Sequence, residues 1–572
     1  MGRCVTSLIY LFAASKCFVS SSFENTNDEI VVETQLGHVR GIVQHALDNT
    51  KPVYAFYSIP YAEPPIGRNR FQPPKPAKPW TGVKDATKIG KFCIQHYAMF
   101  NEACSLLKLP LMQPDNPEFY SEDCLELDIY TPNVNAQLPV MFWIHGGGFT
   151  TGSGHVYNGT ALSALNDVVV VSINYRLSYL GFLSTGDKLL PGNMGLKDQV
   201  EALKWVKQNI RAFGGDPDRV TIFGESAGSW SVASHLVSPM SKDLFKYAIL
   251  QSGSILSDKV TNENPAENFN EIAESLECTN GTRNDLIECV RQTPVDDIEK
   301  AIATLGPLMK FDWVSVDGEF FPKHPKYLYD EADFSDTVIL IGTTEHETHI
   351  SLSLWSHDGK YNYETFLEEI KFLNGAYCQQ DTVSLENLNK IANFYLDNDI
   401  SEIDEKTYNA KALEITTDFT MEFPVLNLTN TVVERGGKAF LYIFSHIPEY
   451  MDAHRSRRVS THTDDIFFTF GFGFMELDTW FKQLEVTYSE KETIFARQMM
   501  KYWVNFATYG DPNSDDLSHW PKYSLDNEEY AILKEQPTVG KLFRKEKFQF
   551  WKDFMQSIQD NRQKYGSKRD EL

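Results

Sequence analysis

Apolar positions in this chain follow two rhythms. Val140-Met141-Phe142-Trp143-Ile144 and Val168 to Ile173 are nearly unbroken apolar runs, as expected of strands buried on both faces. Val220 to Phe223, Tyr247 to Leu250, Val338 to Ile341 and Phe440 to Phe444 read the same way. Between them the period lengthens. Asp198 to Ile210 places Val200, Leu203, Trp205, Val206 and Ile210 at helical spacing, and helices are also predicted from Trp230 to Val237 and over Glu492 to Ala507. Strands alternating with helices predict an α/β fold with a large, mostly parallel sheet. Ahead of this region, Glu29 to Gln44 alternates and turns at Gly37, the pattern of a small antiparallel hairpin. Proline-rich surface follows from Pro60 to Trp80, and there are no internal repeats.

Two stretches carry chemistry. Gly224-Glu225-Ser226-Ala227-Gly228 joins a predicted strand to a predicted helix, the setting in which G-x-S-x-G projects a serine above a sheet. Alone, the pentapeptide is a weak signal and reads equally as a glycine turn with a capping serine. The second stretch is His145-Gly146-Gly147-Gly148-Phe149, directly after a buried run. Such a loop can aim backbone N–H groups at a developing oxyanion. A hinge or a phosphate loop are its rivals, but G-x-x-x-x-G-K-[ST] is absent. No metal is called for, since His346-Glu347-Thr348-His349 is too short for H-E-x-x-H.

The 572 residues, 42% of them hydrophobic, suffice for several domains, yet motifs spread along the chain need one another. The expectation is a single catalytic domain over residues 23–560. A net charge of −25 argues against nucleic acid and anionic membranes as partners. Residues 1–22 have the basic, apolar and small-residue order of a secretory signal. No transmembrane segment is expected. The chain ends Lys568-Arg569-Asp570-Glu571-Leu572, similar to the K-D-E-L retrieval signal, in a tail over 561–572. Together these predict the endoplasmic reticulum lumen and a retrieval receptor as partner. Three glycosylation sequons, at Asn158, Asn280 and Asn427, fit that compartment. Six cysteines remain after the signal, and fifteen pairings are open by arithmetic alone.

The HGGGF loop, FGGDPDRVTIFGESAG, Glu122-Asp123-Cys124-Leu125-Glu126-Leu127-Asp128 and GNMGLKDQVEALKWVKQNI together resemble the type-B carboxylesterases and lipases of the α/β-hydrolase superfamily, including those retained in the endoplasmic reticulum. The likeness runs from about Val31 to Trp551. Glu126 departs from it, standing where the family usually has Tyr or Thr. The resemblance implies disulfides Cys93–Cys124 and Cys278–Cys289, leaving Cys104 and Cys378 unassigned. It implies catalysis by Ser226, with oxyanion donors at Gly147, Gly148 and Ala227 and no cofactor. The triad order Ser, Asp/Glu, His places the acid after Val338 to Ile341. There Glu347 matches the family spacing, with Glu345 its rival. The base follows Phe440 to Phe444. His462-Thr463-Asp464-Asp465-Ile466 matches the family motif, ahead of His446 and His454. The implied function is hydrolysis of carboxylic esters of apolar acyl groups through an acyl-enzyme. Alternatives are an acylglycerol lipase or a non-catalytic cholinesterase-like binding protein. No Trp lies between Cys93 and Cys124, which argues against choline esters. For His462, burial and a nearby Glu347 pull in opposite directions, predicting an inflection within about a unit of 6.5.

Overall fold

The computed structural model describes residues 29–47, 51–95, 116–257, 260–305, 313–348, 362–377, 384–396, 403–451, 458–475 and 486–566. The signal at 1–22, Cys104, Cys378, His454 and the terminal 569–572 lie outside them.

The strands are β1 (Glu29–Thr34), β2 (Gly37–His45), β3 (Pro52–Pro60), β4 (Val83–Asp85), β5 (Phe92–Cys93), β6 (Tyr120–Ser121), β7 (Glu126–Thr131), β8 (Leu138–Ile144), β9 (Val169–Ile173), β10 (Gly215–Glu225), β11 (Tyr247–Gln251), β12 (Val338–Thr344), β13 (Lys438–Phe444), β14 (Glu529–Leu533) and β15 (Thr538–Lys541). Among the described residues one sheet has 13 strands, in the order β1-β2-β3-β7-β9-β8-β10-β11-β12-β13-β14-β15 with β4 on β2. From β9 through β14 every pairing is parallel. The pairings at the two ends are antiparallel, except that β4 lies parallel to β2. This is the arrangement of an α/β-hydrolase. The central strands are the unbroken apolar runs because helices cover both faces. Each residue of β9 is buried, and only the first residue of β8 is not.

The helices that matter for the site are α1 (Met194–Asn209), α2 (Ala227–Val237), α3 (Pro325–Glu331), α4 (Tyr363–Tyr377), α5 (Leu385–Tyr395), α6 (Glu405–Thr417), α7 (Phe423–Glu434), α8 (Asp464–Phe470), α9 (Glu490–Tyr509) and α10 (Lys545–Gly566). A π-helical turn, Asp418–Glu422, joins α6 to α7. α9 starts at a capping box, in which Ser489 and Glu492 satisfy each other's backbone N–H groups. α1 begins at Met194, four residues before the predicted start. Its first turn hides a charged side chain: Lys197 is buried and pairs with Asp317 (3.0 Å) and Glu319 (2.7 Å). A buried, paired ammonium breaks the apolar period from which the boundary was read. α2 likewise begins at Ala227 rather than Trp230.

Among the described residues, two hydrophobic clusters hold the fold together. The large one fills both faces of the sheet. A second, smaller one lies between α4, α5, α6 and α10, with Phe366, Ile391, Tyr395, Tyr408 and Trp551 among its buried members. Cys93–Cys124 and Cys278–Cys289 form disulfides, with Cα atoms 5.1 and 5.8 Å apart.

Candidate active site

Four segments converge where the parallel strands end, the usual position for function in such sheets. Ser226 follows β10 directly. Its backbone sits at φ 58°, ψ −122°, a strained conformation for a side chain, and its N–H is held by the Gln251 carbonyl at 2.9 Å. The strain turns the chain sharply from strand into α2. Gly228 permits the turn: a Cβ there would stand 2.0 Å from the Ile144 carbonyl oxygen. Ser226 is 9% exposed.

The glycine loop leaves β8 and passes over this turn. A Cβ on Gly146 would lie 3.1 Å from Ser226 Cβ. Gly147 and Gly148 take φ values of 102° and 61°. Thr150 and Thr151 both donate backbone hydrogen bonds to the Gly147 carbonyl at 3.0 Å, which fixes the turn. The N–H groups of Gly147, Gly148 and Ala227 have no acceptor among the described residues. For Ala227 this is the ordinary state of the first amide of a helix.

Glu347 and His462 meet through a backbone bridge. His346 pairs in parallel with Thr461, so the next residue on each segment lies beside its counterpart. His462 Nδ1 is 2.5 Å from Glu347 Oε2. Glu347 Oε1 accepts hydrogen bonds from Ser252 Oγ and the Thr344 N–H, both at 2.6 Å. The carboxylate is therefore fixed at both oxygens. α8 starts two residues after His462, and its Phe470 packs against Trp143 (centroids 5.0 Å apart) and Phe223 (5.7 Å), anchoring that segment to β8 and β10. The rivals lie elsewhere. Glu345 is half-buried, donating its N–H to the Phe444 carbonyl. His446 is buried against Glu492, 3.1 Å away.

Sequence reasoning missed Glu225, Ser252 and Asp465. Glu225 is buried, and its Oε1 is 3.0 Å from His462 Nε2. The imidazole thus lies between two carboxylates. Burial opposes its protonation, but the charges of Glu225 and Glu347, with the hydrogen bond to Glu347, win and hold the pKa well above 6.5. Glu225 is itself raised: burial outweighs the attraction of His462. Asp465 accepts from Gln251 Nε2 (2.9 Å) and Tyr442 OH (2.8 Å), and burial pushes it up to about 7. The expected inflection near 6.5 weighed Glu347 alone, and the second carboxylate moves His462 upward. The one available signal was position, since Glu225 is the variable residue of G-x-S-x-G and Asp465 belongs to the His462 motif.

Among the sequons, Asn280 is exposed in the loop closed by Cys278–Cys289, while Asn158 and Asn427 are half-buried. No helix among the described residues is long and apolar enough to cross a membrane.

The carboxylesterase family model matches residues 28–551. Among similar proteins, acylcarnitine hydrolase of Mus musculus is 36% identical over 533 residues, 92% of this chain and 91% of that protein. Pyrethroid hydrolase Ces2e of Rattus norvegicus is 36% identical, covering 92% of this chain and 90% of that protein. Cocaine esterase of Homo sapiens is 36% identical, with 92% of both chains covered. The chain belongs to the carboxylesterase family and is a carboxylic ester hydrolase.

Proposed function

We propose that Ser226, His462 and Glu347 form the catalytic triad of a serine carboxylesterase, with the N–H groups of Gly147, Gly148 and Ala227 as oxyanion hole. The observation that carries this is the doubly anchored Glu347 holding His462 Nδ1 beside the Ser226 turn. Ser226 Oγ attacks the ester carbonyl as His462 Nε2 takes its proton. The carbonyl oxygen becomes an oxyanion facing the three N–H groups. Collapse expels the alcohol, which receives the proton from His462. Water then adds to the acyl-enzyme by the same proton path, releasing the acid and restoring Ser226. Glu347 keeps Nδ1 protonated, leaving Nε2 as the basic nitrogen. Nε2 must be free of its proton to act, so Glu225 sets how high the pH must be before the base is ready.

The substrates are carboxylic esters of apolar acyl groups, in keeping with relatives named for acylcarnitine, pyrethroid and cocaine hydrolysis. The place of action is the endoplasmic reticulum lumen. Two disulfides and an exposed sequon support it, with the leader at 1–22 and the Arg569–Leu572 tail as addresses. A p-nitrophenyl ester chain-length series on wild type and Ser226→Ala tests the chemistry. A Ser226→Ala enzyme that kept more than a few per cent of activity would remove Ser226 from its role.

A further inference from the structure

On α7, Phe423, Asn427 and Thr431 recur every four residues and so share one helix face. All three line a groove of about 640 Å³, to which α3 contributes Tyr327 and α10 contributes Met555. We propose that this groove seats the innermost sugars of an N-linked glycan carried by Asn427. The proposal rests on the secretory reading above.

The three sequons differ in what their amides do. The Asn158 amide already serves the fold: its Nδ2 donates to Gln44 Oε1 (3.4 Å) and its Oδ1 accepts from the Thr160 N–H (2.9 Å). Asn280 is exposed, so a glycan there projects into water. Asn427 is half-buried, lines the groove, and its side-chain amide has no hydrogen bond among the described residues. A sugar attached to that nitrogen enters the groove without displacing a bond.

The lining also suits a saccharide. A pyranose has an apolar C–H face and a rim of hydroxyls. Tyr327 is 57% exposed although it is a large aromatic side chain, and it offers a ring for the C–H face. Phe423 and Met555 extend the apolar lining, while Lys326, Asp330 and Lys552 supply donors and acceptors for hydroxyls. The volume falls within the roughly 300–1,000 Å³ of small-molecule sites. Covalent attachment makes the encounter intramolecular, so individually weak sugar contacts are enough to fill the groove. The seated glycan then ties α10 to α3 and α7.

The test uses full-length protein secreted or retained by cells that glycosylate, with peptide-N-glycosidase F as the probe and site occupancy read by mass spectrometry. On the folded protein, release at Asn427 should be about tenfold or more slower than at Asn280, the ratio that about 1.4 kcal/mol of docking gives. Denaturation should equalise the two. Tyr327→Ala leaves the sequon intact and should bring release at Asn427 close to that at Asn280, with ester hydrolysis unchanged. Equal release in the folded wild type, release unmoved by Tyr327→Ala, or an unmodified Asn427 in molecules carrying a glycan at Asn280 would each overturn the proposal while sparing the secretory reading. A protein with no modified sequon that remains in the cytosol would overturn both.

Discussion

Glu225→Gln isolates the charge that the structure places against His462, the proposed base. The substitution keeps side-chain size and removes the negative charge 3.0 Å from His462 Nε2. Two unit charges at that separation interact by about 5 kcal/mol at an effective dielectric near 20, a ceiling of roughly four pKa units. Burial pushes Glu225 itself toward the neutral form, so only part of that field acts. We expect the acid limb of kcat/KM to move down by about one to two pH units. The sign follows from the chemistry. A base must be unprotonated to act, and a raised pKa removes activity as pH falls through it. Wild type should therefore lose activity at a pH above the ordinary histidine value, and the variant should retain it further into acid. The assay is kcat/KM for a soluble p-nitrophenyl ester across pH, corrected for nitrophenol ionisation, with circular dichroism confirming the fold at each end. An acid limb that stayed in place, or moved upward, would refute the assignment of Glu225 as the group that raises His462.

Other expectations concern the supports of the site. Glu347→Gln should cost about four orders of magnitude in kcat, as loss of the orienting acid does elsewhere, whereas Glu345→Gln should stay within a few-fold; equal losses would overturn the choice of acid. Ser252→Ala removes one of the two anchors on Glu347 Oε1 and should lower kcat/KM by about 1.5–3 kcal/mol of barrier, read from steady-state kinetics. Arg544 pairs with Asp418 and, at 2.9 Å, with Glu422, whose side chains are each 3% exposed. Arg544→Ala should therefore destabilise the protein by about 3–5 kcal/mol in denaturant melts. Burial already raises the pKa of Glu422, so protonation at lower pH should relieve the stranded charge and shrink that loss.

The readability of each part of the site depended on how local its cause was. The turn that carries Ser226 was legible because strand, turn and helix are consecutive, and the glycine loop because it directly follows a buried run. The parallel sheet was legible for the same reason, since its central strands are apolar throughout. α2 lost its first turn because small polar residues line its buried face. Ser229 donates to the Gly253 carbonyl at 2.7 Å and Ser231 to Ala227 at 2.9 Å, so each hydroxyl is satisfied inside the core and looks like surface in a hydropathy pattern. The helices of the second core went unpredicted; α5 places Leu388, Ile391, Ala392 and Tyr395 at helical spacing, but nothing in that spacing says that they pack on α10 instead of the sheet. Glu225 is the extreme case. Its neighbours in sequence explain only why it is buried. What gives it a consequence is His462, brought to it by the β12–β13 pairing, the His346–Thr461 bridge and the packing of Phe470. The residue set against the proposed base is therefore the one whose contacts are set entirely by tertiary structure. A sequence motif can name the nucleophile, but the pH at which that nucleophile works depends on charges that only folding assembles.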